Sequence, residues 1–147
     1  LWQGLGAYLR HNPQIRYLFG PVSISARYPR PARDFMVYFY HHYFACQHYL
    51  GEAKIPYKLS QSSKNECDTL FVGNDFERDQ QTLKHQLSLY DVAIPTLFKQ
   101  YTDLCEPGGV CFLDFGVDPD FAGCTDGMIL VDVQKVKAAK RKRYIGE

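Results

Sequence analysis

Five carboxylates, Asp114, Asp118, Asp120, Asp126 and Asp132, fall within residues 114–132 with no lysine or arginine among them. Clustered carboxylates hold one another's protons more tightly and attract cations, which suits an ammonium-bearing substrate or a metal ion. The same acids also fit turn chemistry, because Asp118 precedes Pro119 and Asp126 precedes Gly127. Both readings stay open, although the spacing lacks the alternation and closing Glu of a calcium loop. A second group, His41, His42, Cys46 and His48, puts His42 and Cys46 four residues apart on one helical face. His41 and His48 fall on other faces or a turn away, so packed or surface histidines are expected and no metal. No GxSxG elbow, GxGxxG turn or phosphate-binding P-loop is present.

The third chemical feature is a basic tail. Six of the 17 basic residues (Lys135, Lys137, Lys140, Arg141, Lys142 and Arg143) and one of the 16 acids lie in 134–147, leaving 11 bases against 15 acids elsewhere. A formal net charge of +1 argues against a nucleic-acid binder, and the tail has no interleaved aromatic platforms on which bases would stack. Docking on an anionic membrane surface is the preferred use, each basic residue near such a surface contributing about 1 kcal/mol.

The elements that must carry these residues follow from patterning. At 147 residues with 46% apolar and 22% charged content, the chain has the balance of one folded domain. Leu1, Leu5 and Tyr8, with Trp2 and Leu9 beside them, already have helical period at the first residue, with no capping residue ahead. That predicts a start inside a helix of something longer. Residues 16–25 read as a strand, interrupted at Gly20-Pro21 by a bulge or an exposed edge. In it Val22 and Ile24 share one face, Ser23 and Ser25 the other. A helix is expected over 32–50, from Pro31 to Gly51, apolar all round and therefore covered on several sides or lying against lipid.

Residues 51–75 read as a variable irregular segment. Asn74-Asp75-Phe76-Glu77 resembles a capping box and opens an amphipathic helix to about Asp91, and another helix opens at Pro95. Residues 110–117 and 128–133 read as an antiparallel strand pair, and the basic tail as a short helix or frayed end. No apolar run reaches the roughly 18 residues of a membrane span, and residues 1–20 lack a secretory-leader pattern. The five cysteines, Cys46, Cys67, Cys105, Cys111 and Cys124, are odd in number and contain no CxxC pair. Reduced, packed thiols are expected, favouring a cytoplasmic protein, with possible attachment at the inner membrane face.

RYLFGPVSIS, followed by Tyr28-Pro29 and the aromatic-rich helix, resembles the hemolysin-like branch of the GNAT acyltransferase superfamily, whose relatives include ornithine-acyl carrier protein N-acyltransferases of bacterial lipid synthesis. IPTLFKQY, FLDFGVDPDF, TDGMILVDV and RYIG resemble that family's closing segments in the same order. The resemblance implies an α/β (α+β) fold, the C-terminal part of a GNAT-like domain. A mixed sheet of few strands with an antiparallel C-terminal pair would pack against about four helices.

It further implies that an opening half, absent here, would hold the donor phosphopantetheine, and that strand 16–25 would splay from that half to form the thioester cleft. The Ser23/Ser25 face or the opposite one would line it, with Ser23 and Ser25 the candidate donor-binding residues. The implied reaction is attack of a neutral amine, such as that of an amino acid, on the thioester of acyl carrier protein or CoA. Tyr38 or Tyr40 would protonate the leaving thiolate, and Asp118 or Asp120 would orient the amine. The implied partners are the missing segment or a second copy of the chain, acyl carrier protein and an anionic membrane. The alternative reading is a non-catalytic membrane- or protein-binding module.

Overall fold

In the computed structural model, which describes residues 1–146, the three strands form one antiparallel sheet in the order β1-β3-β2. These are β1 (Tyr17–Ile24), β2 (Val110–Asp118) and β3 (Cys124–Asp132). β1 runs in unbroken register along β3, from Tyr17 opposite Asp132 to Ile24 opposite Thr125. Gly20-Pro21 therefore marks an edge strand and not a bulge, as proline's missing N–H requires when it faces outward. The irregularity lies in β2, between Phe112 and Phe115. Asp126-Gly127, which fits turn chemistry in the sequence, lies inside β3; the turn is made by a 3-10 helix, Pro119–Phe121, and by Ala122 and Gly123 at positive φ (54° and 69°). Among the described residues the only parallel pairing is the one-residue bridge of Ala45 to Phe112, so the expected mixed sheet is antiparallel in all its strand pairs.

Side-chain alternation gives the sheet one dry and one open face. Val22, Ile24, Phe112, Phe115, Ile129 and Val131 are buried on the first. They pack beneath α2 (Arg30–Tyr43), whose Phe35, Met36, Phe39 and Tyr40 are buried, and beside α4 (Phe76–Ser88) and α5 (Thr96–Thr102). The all-round apolar character of α2 is met by the sheet on one side and by the other helices on the rest, so burial in protein accounts for it. α1 (Trp2–His11) lies on α6 (Ala138–Tyr144), with Leu9, Val133 and Ile145 forming a small second core. Close approach there requires Gly6, since a Cβ at that position would sit 1.7 Å from the Tyr144 carbonyl oxygen. The basic tail is thus a docked helix. Its final residue, Glu147, lies outside the described residues.

The architecture is α+β, in accord with a partial GNAT-like fold, and has six α-helices among the described residues. One of the unforeseen ones is α3 (Gln61–Leu70), inside the segment expected to be irregular. Its cap is Ser60, whose side chain accepts from the Ser63 amide. α2 stops at Tyr43, well short of Gly51, because β2 captures the following backbone. The Phe44 carbonyl accepts from the Phe112 amide (2.6 Å), and the Cys46 amide donates to the Phe112 carbonyl (3.2 Å).

Beyond the β2 irregularity the same segment returns. The Tyr57 amide donates to the Phe115 carbonyl and the Val117 amide to the Ile55 carbonyl, each at 2.9 Å. Cys46 and Cys111 form a disulfide at the first of these contacts. The expectation of reduced thiols is therefore corrected for this pair, while Cys67, Cys105 and Cys124 are free and buried. Residues 44–57 thus cover the outer edge of β2, and the outer edge of β1 carries no such cover among the described residues.

Candidate functional site

The open face of the sheet carries Tyr17, Phe19, Pro21 and Ser23 of β1 opposite Asp132, Leu130, Met128 and Asp126 of β3. Phe19 is 76% exposed on it. At the end nearer the β2–β3 turn, a cavity of about 480 Å³ opens between this face and residues 51–55 of the edge segment. Pro21, Leu113, Val117 and Met128 supply apolar lining, and Asp118, Asp120 and Asp126 supply carboxylates, with Glu52 and Lys54 opposite. Gly116 lets the wall approach, because a Cβ there would lie 2.7 Å from the Ala53 Cβ.

The five acids have separate fates. Asp114 accepts from the Ala53 amide (2.6 Å) and the Phe115 amide (2.8 Å), holding the edge segment at the β2 irregularity. Asp118 accepts from the Asp120 and Phe121 amides and so caps the turn. Asp132 is ion-paired with Arg16 at 3.2 Å and accepts from the Gln134 amide. Asp126 accepts from the Ser23 hydroxyl at 2.6 Å across the β1–β3 pair, and Asp120 stands exposed at the rim. Turn and packing duties therefore absorb three of the five. Asp120 and Asp126 are left facing the cavity without a cation paired to either among the described residues.

The structure brings Ser23, Asp118, Asp120 and Asp126 to one end of the open face. Ser25 lies beyond the strand, where its hydroxyl accepts from the Arg27 amide. The two tyrosines are elsewhere. Tyr40 is buried, its ring against Phe98 and Phe112 at 5.0 and 5.7 Å between centroids; burial pushes its phenol well above the ordinary value. Tyr38 lines a neighbouring cavity of about 370 Å³ and donates to Asp68 at 2.5 Å. Burial, followed by the Asp68 carboxylate, pushes its phenol up to about 12, so it is a protonated donor at neutral pH. Asp114 lines both cavities and marks the wall between them. Ser23's tie to Asp126, and Lys54 in the edge segment, were not foreseen. Alternation put Ser23 on the open face, but nothing local in residues 51–55 signals a cavity wall.

His42 is hydrogen-bonded to the Gly73 carbonyl (2.6 Å) and Cys46 is engaged in its disulfide. Among the described residues no group of three or more His, Cys, Asp or Glu is placed to hold a metal. In the basic tail, Lys137 and Lys140 pair with Asp103 at 2.7 and 3.0 Å, while Lys142 and Arg143 remain exposed. No described helix is long and apolar enough to cross a membrane.

Two curated proteins are similar to nearly the whole chain. The glycine N(alpha)-acyltransferase of Bacteroides thetaiotaomicron is 29% identical over 145 residues, and that of Phocaeicola vulgatus 26% over 145, each alignment covering 99% of the chain. The chain spans 42% and 44% of the lengths of these relatives. No family model and no solved structure matches. The similarity is thus to acyltransferases, and it does not single out the hemolysin-like branch.

Proposed function

We propose that the chain is the acceptor-side part of an N-acyltransferase of the hemolysin-like GNAT type, which moves an acyl group from a thioester to the amine of a small amino acid. The observation that carries this reading is the similarity, over 99% of the chain, to two proteins named as glycine N(alpha)-acyltransferases. The cavity supports it. Asp120 and Asp126, with the turn-capping Asp118 beside them, supply negative charge for an ammonium group. Lys54 supplies the opposite charge for the acceptor's carboxylate.

In the reaction, the amine nitrogen, after losing a proton, attacks the thioester carbonyl carbon. The N–C bond forms, the C–S bond breaks, and the thiolate takes up a proton. Ser23 holds Asp126 in place on the side of β1's free edge, where the thioester arm would enter alongside Ser25. Tyr38 is the more accessible of the two candidate acids, Tyr40 being enclosed. The donor is acyl carrier protein or CoA, bound by polypeptide outside these 147 residues or by a second copy. The exposed Lys142 and Arg143 would hold the assembly at an anionic membrane, where an acylated amino acid is delivered to lipid synthesis.

The test is an acylation assay with long-chain acyl carrier protein and acyl-CoA as donors and glycine as acceptor, on the natural gene product containing this chain. Donor-dependent N-acylglycine is expected. D126N should raise the KM for glycine about tenfold or more, as loss of a charge-assisted contact predicts. Membrane binding without acyl transfer by the natural product would overturn the proposal in favour of a docking module.

A further inference from the structure

We infer that the Cys46–Cys111 disulfide is a thiol-exchange site that controls whether the edge segment, residues 44–57, stays docked on β2. This inference stands on the backbone ladder and the disulfide and does not depend on acyl transfer.

The segment is attached at two places. On one side of the β2 irregularity it makes the pair of backbone hydrogen bonds between Phe44, Cys46 and Phe112; on the other it makes the Tyr57–Phe115 and Ile55–Val117 bonds. Between them the Ala53 amide donates to Asp114 and the Tyr49 hydroxyl to that of Tyr17 on β1 (2.9 Å), while Tyr49, Leu50 and Ile55 are exposed by 45%, 101% and 45%. Phe44 and Tyr57 pack on the core at the segment's two ends, and the exposed stretch between them, with few buried apolar side chains, is of the kind that opens locally at low cost. The disulfide fixes one end of it covalently, and the stretch it fixes includes the 51–55 wall of the acidic cavity.

Access and selectivity point to the same pair. Cys46 and Cys111 are half-buried, and Cys111 borders an open cavity of about 770 Å³ whose lining also includes Arg16, His48 and Lys135. The cavity gives an incoming thiolate access to Cys111, past Lys135 and Lys137 as well as Glu106 and the Arg16–Asp132 ion pair. The remaining cysteines are buried. Burial pushes the Cys67 and Cys105 thiols up to about 12, so neither competes as a nucleophile. The exchange consumes one dithiol: its thiolate attacks one sulfur, the Cys46–Cys111 S–S bond breaks, and the second thiol resolves the mixed disulfide. Two electrons and two protons pass to the cysteines, and the dithiol leaves as its cyclic disulfide.

The test compares oxidised and dithiothreitol-treated chain under native conditions, with alkylation to count thiols and hydrogen exchange to follow individual amides. Two newly alkylatable cysteines are expected, Cys46 and Cys111. The amides of Cys46, Tyr57 and Val117 should exchange at least tenfold faster, and those of β3 paired with β1 should change less than twofold. The double variant C46S/C111S should exchange like the reduced chain with or without dithiothreitol; should it not fold, the wild-type comparison stands alone. A disulfide that resists native reduction, unchanged exchange at Tyr57 and Val117, or equal acceleration throughout β3 would each overturn the inference.

Discussion

Asp79 has no accessible surface, yet it lies on α4 in a stretch whose sequence is polar. Its carboxylate accepts three hydrogen bonds: from the amides of Val72 (2.9 Å) and Gly73 (2.8 Å) and from the Tyr43 hydroxyl. It therefore fastens the turn between α3 and α4 to the end of α2, helped by its place in the first turns of α4, where the helix dipole favours negative charge. Burial alone would raise its pKa; the Tyr43 hydroxyl and the Gly73 and Val72 amides outweigh that and hold it below the ordinary carboxylate value.

Asp79→Ala would leave two amides and one hydroxyl without their acceptor in a buried place. Hydrogen bonds to a charged group contribute roughly 1.5–3 kcal/mol each and do not add fully, so a loss of about 3–5 kcal/mol is expected. For a chain of this size that is a fall in Tm of roughly 8–15 °C. Asp79→Asn keeps one acceptor oxygen and should lose about half as much. The sign with pH follows from the lowered native pKa. This part of the stability is fully present above the unfolded-state value of about 3.9 and is lost as pH falls through that value towards the native one. Urea unfolding followed by circular dichroism, from pH 7 to pH 2.5, should show a constant gap between wild type and Asp79→Asn down to about pH 4–5 and a shrinking gap below it. A loss under about 1 kcal/mol for Asp79→Ala, or a gap that stays constant to pH 2.5, would refute the reasoning.

Gly6→Ala forces a methyl group to within 1.7 Å of the Tyr144 carbonyl oxygen, so α1 and α6 must move apart. A cost of about 1–3 kcal/mol is expected by urea unfolding, with faster amide exchange confined to α6 and the small core of Leu9, Val133 and Ile145. Tyr38→Phe should remove one phenol from the ultraviolet titration curve near pH 12 and leave the limb below pH 11 unchanged, because that group is pushed up to about 12.

The sheet was legible because each strand's signals are local. Val22 and Ile24 alternate against Ser23, residues 110–117 and 128–133 are apolar runs between glycine- and aspartate-rich turns, and Pro21 announces an edge. The capping-box pattern over Asn74 to Glu77 and the apolar period through Leu83 and Leu87 likewise marked α4 within a few residues; in the structure the cap is Asp75, whose side chain accepts from the Arg78 amide. Where the reading failed, the deciding contact was distant in sequence. α3 buries only Cys67 and so has no apolar stripe to read; what holds it includes the Ser63 hydroxyl on the buried Asp34, 29 residues away (2.7 Å). α2 ends at Tyr43 because β2, nearly 70 residues later, takes the next carbonyl and amide. The Cys46–Cys111 pair spans 65 residues, beyond any spacing rule. The acids were recognisable as a group, but which of them stay available depends on partners such as Arg16 and Ser23 that only the folded chain supplies.

The sheet's two outer edges differ in a way that bears on what covers the acidic cavity. β2 is closed by the chain's own residues 44–57, tied by backbone bonds, Asp114 and a disulfide. β1 has no such cover among the described residues. Pro21 leaves its edge one donor short and weakens, without forbidding, the addition of another strand. Phe19, Pro21 and Met128 continue the apolar surface from that edge across the open face to the acidic cavity. An exposed phenylalanine beside an unpaired strand is unfavourable in water unless something covers it. Polypeptide placed along β1 would cover Phe19 and also roof the cavity that holds Asp120 and Asp126. Excluding water there strengthens each carboxylate's hold on a bound ammonium. In this geometry covering the sheet and roofing the cavity are one event, so, on the proposed reading of that cavity as an acceptor site, polypeptide that stabilises β1's edge should also tighten amine binding.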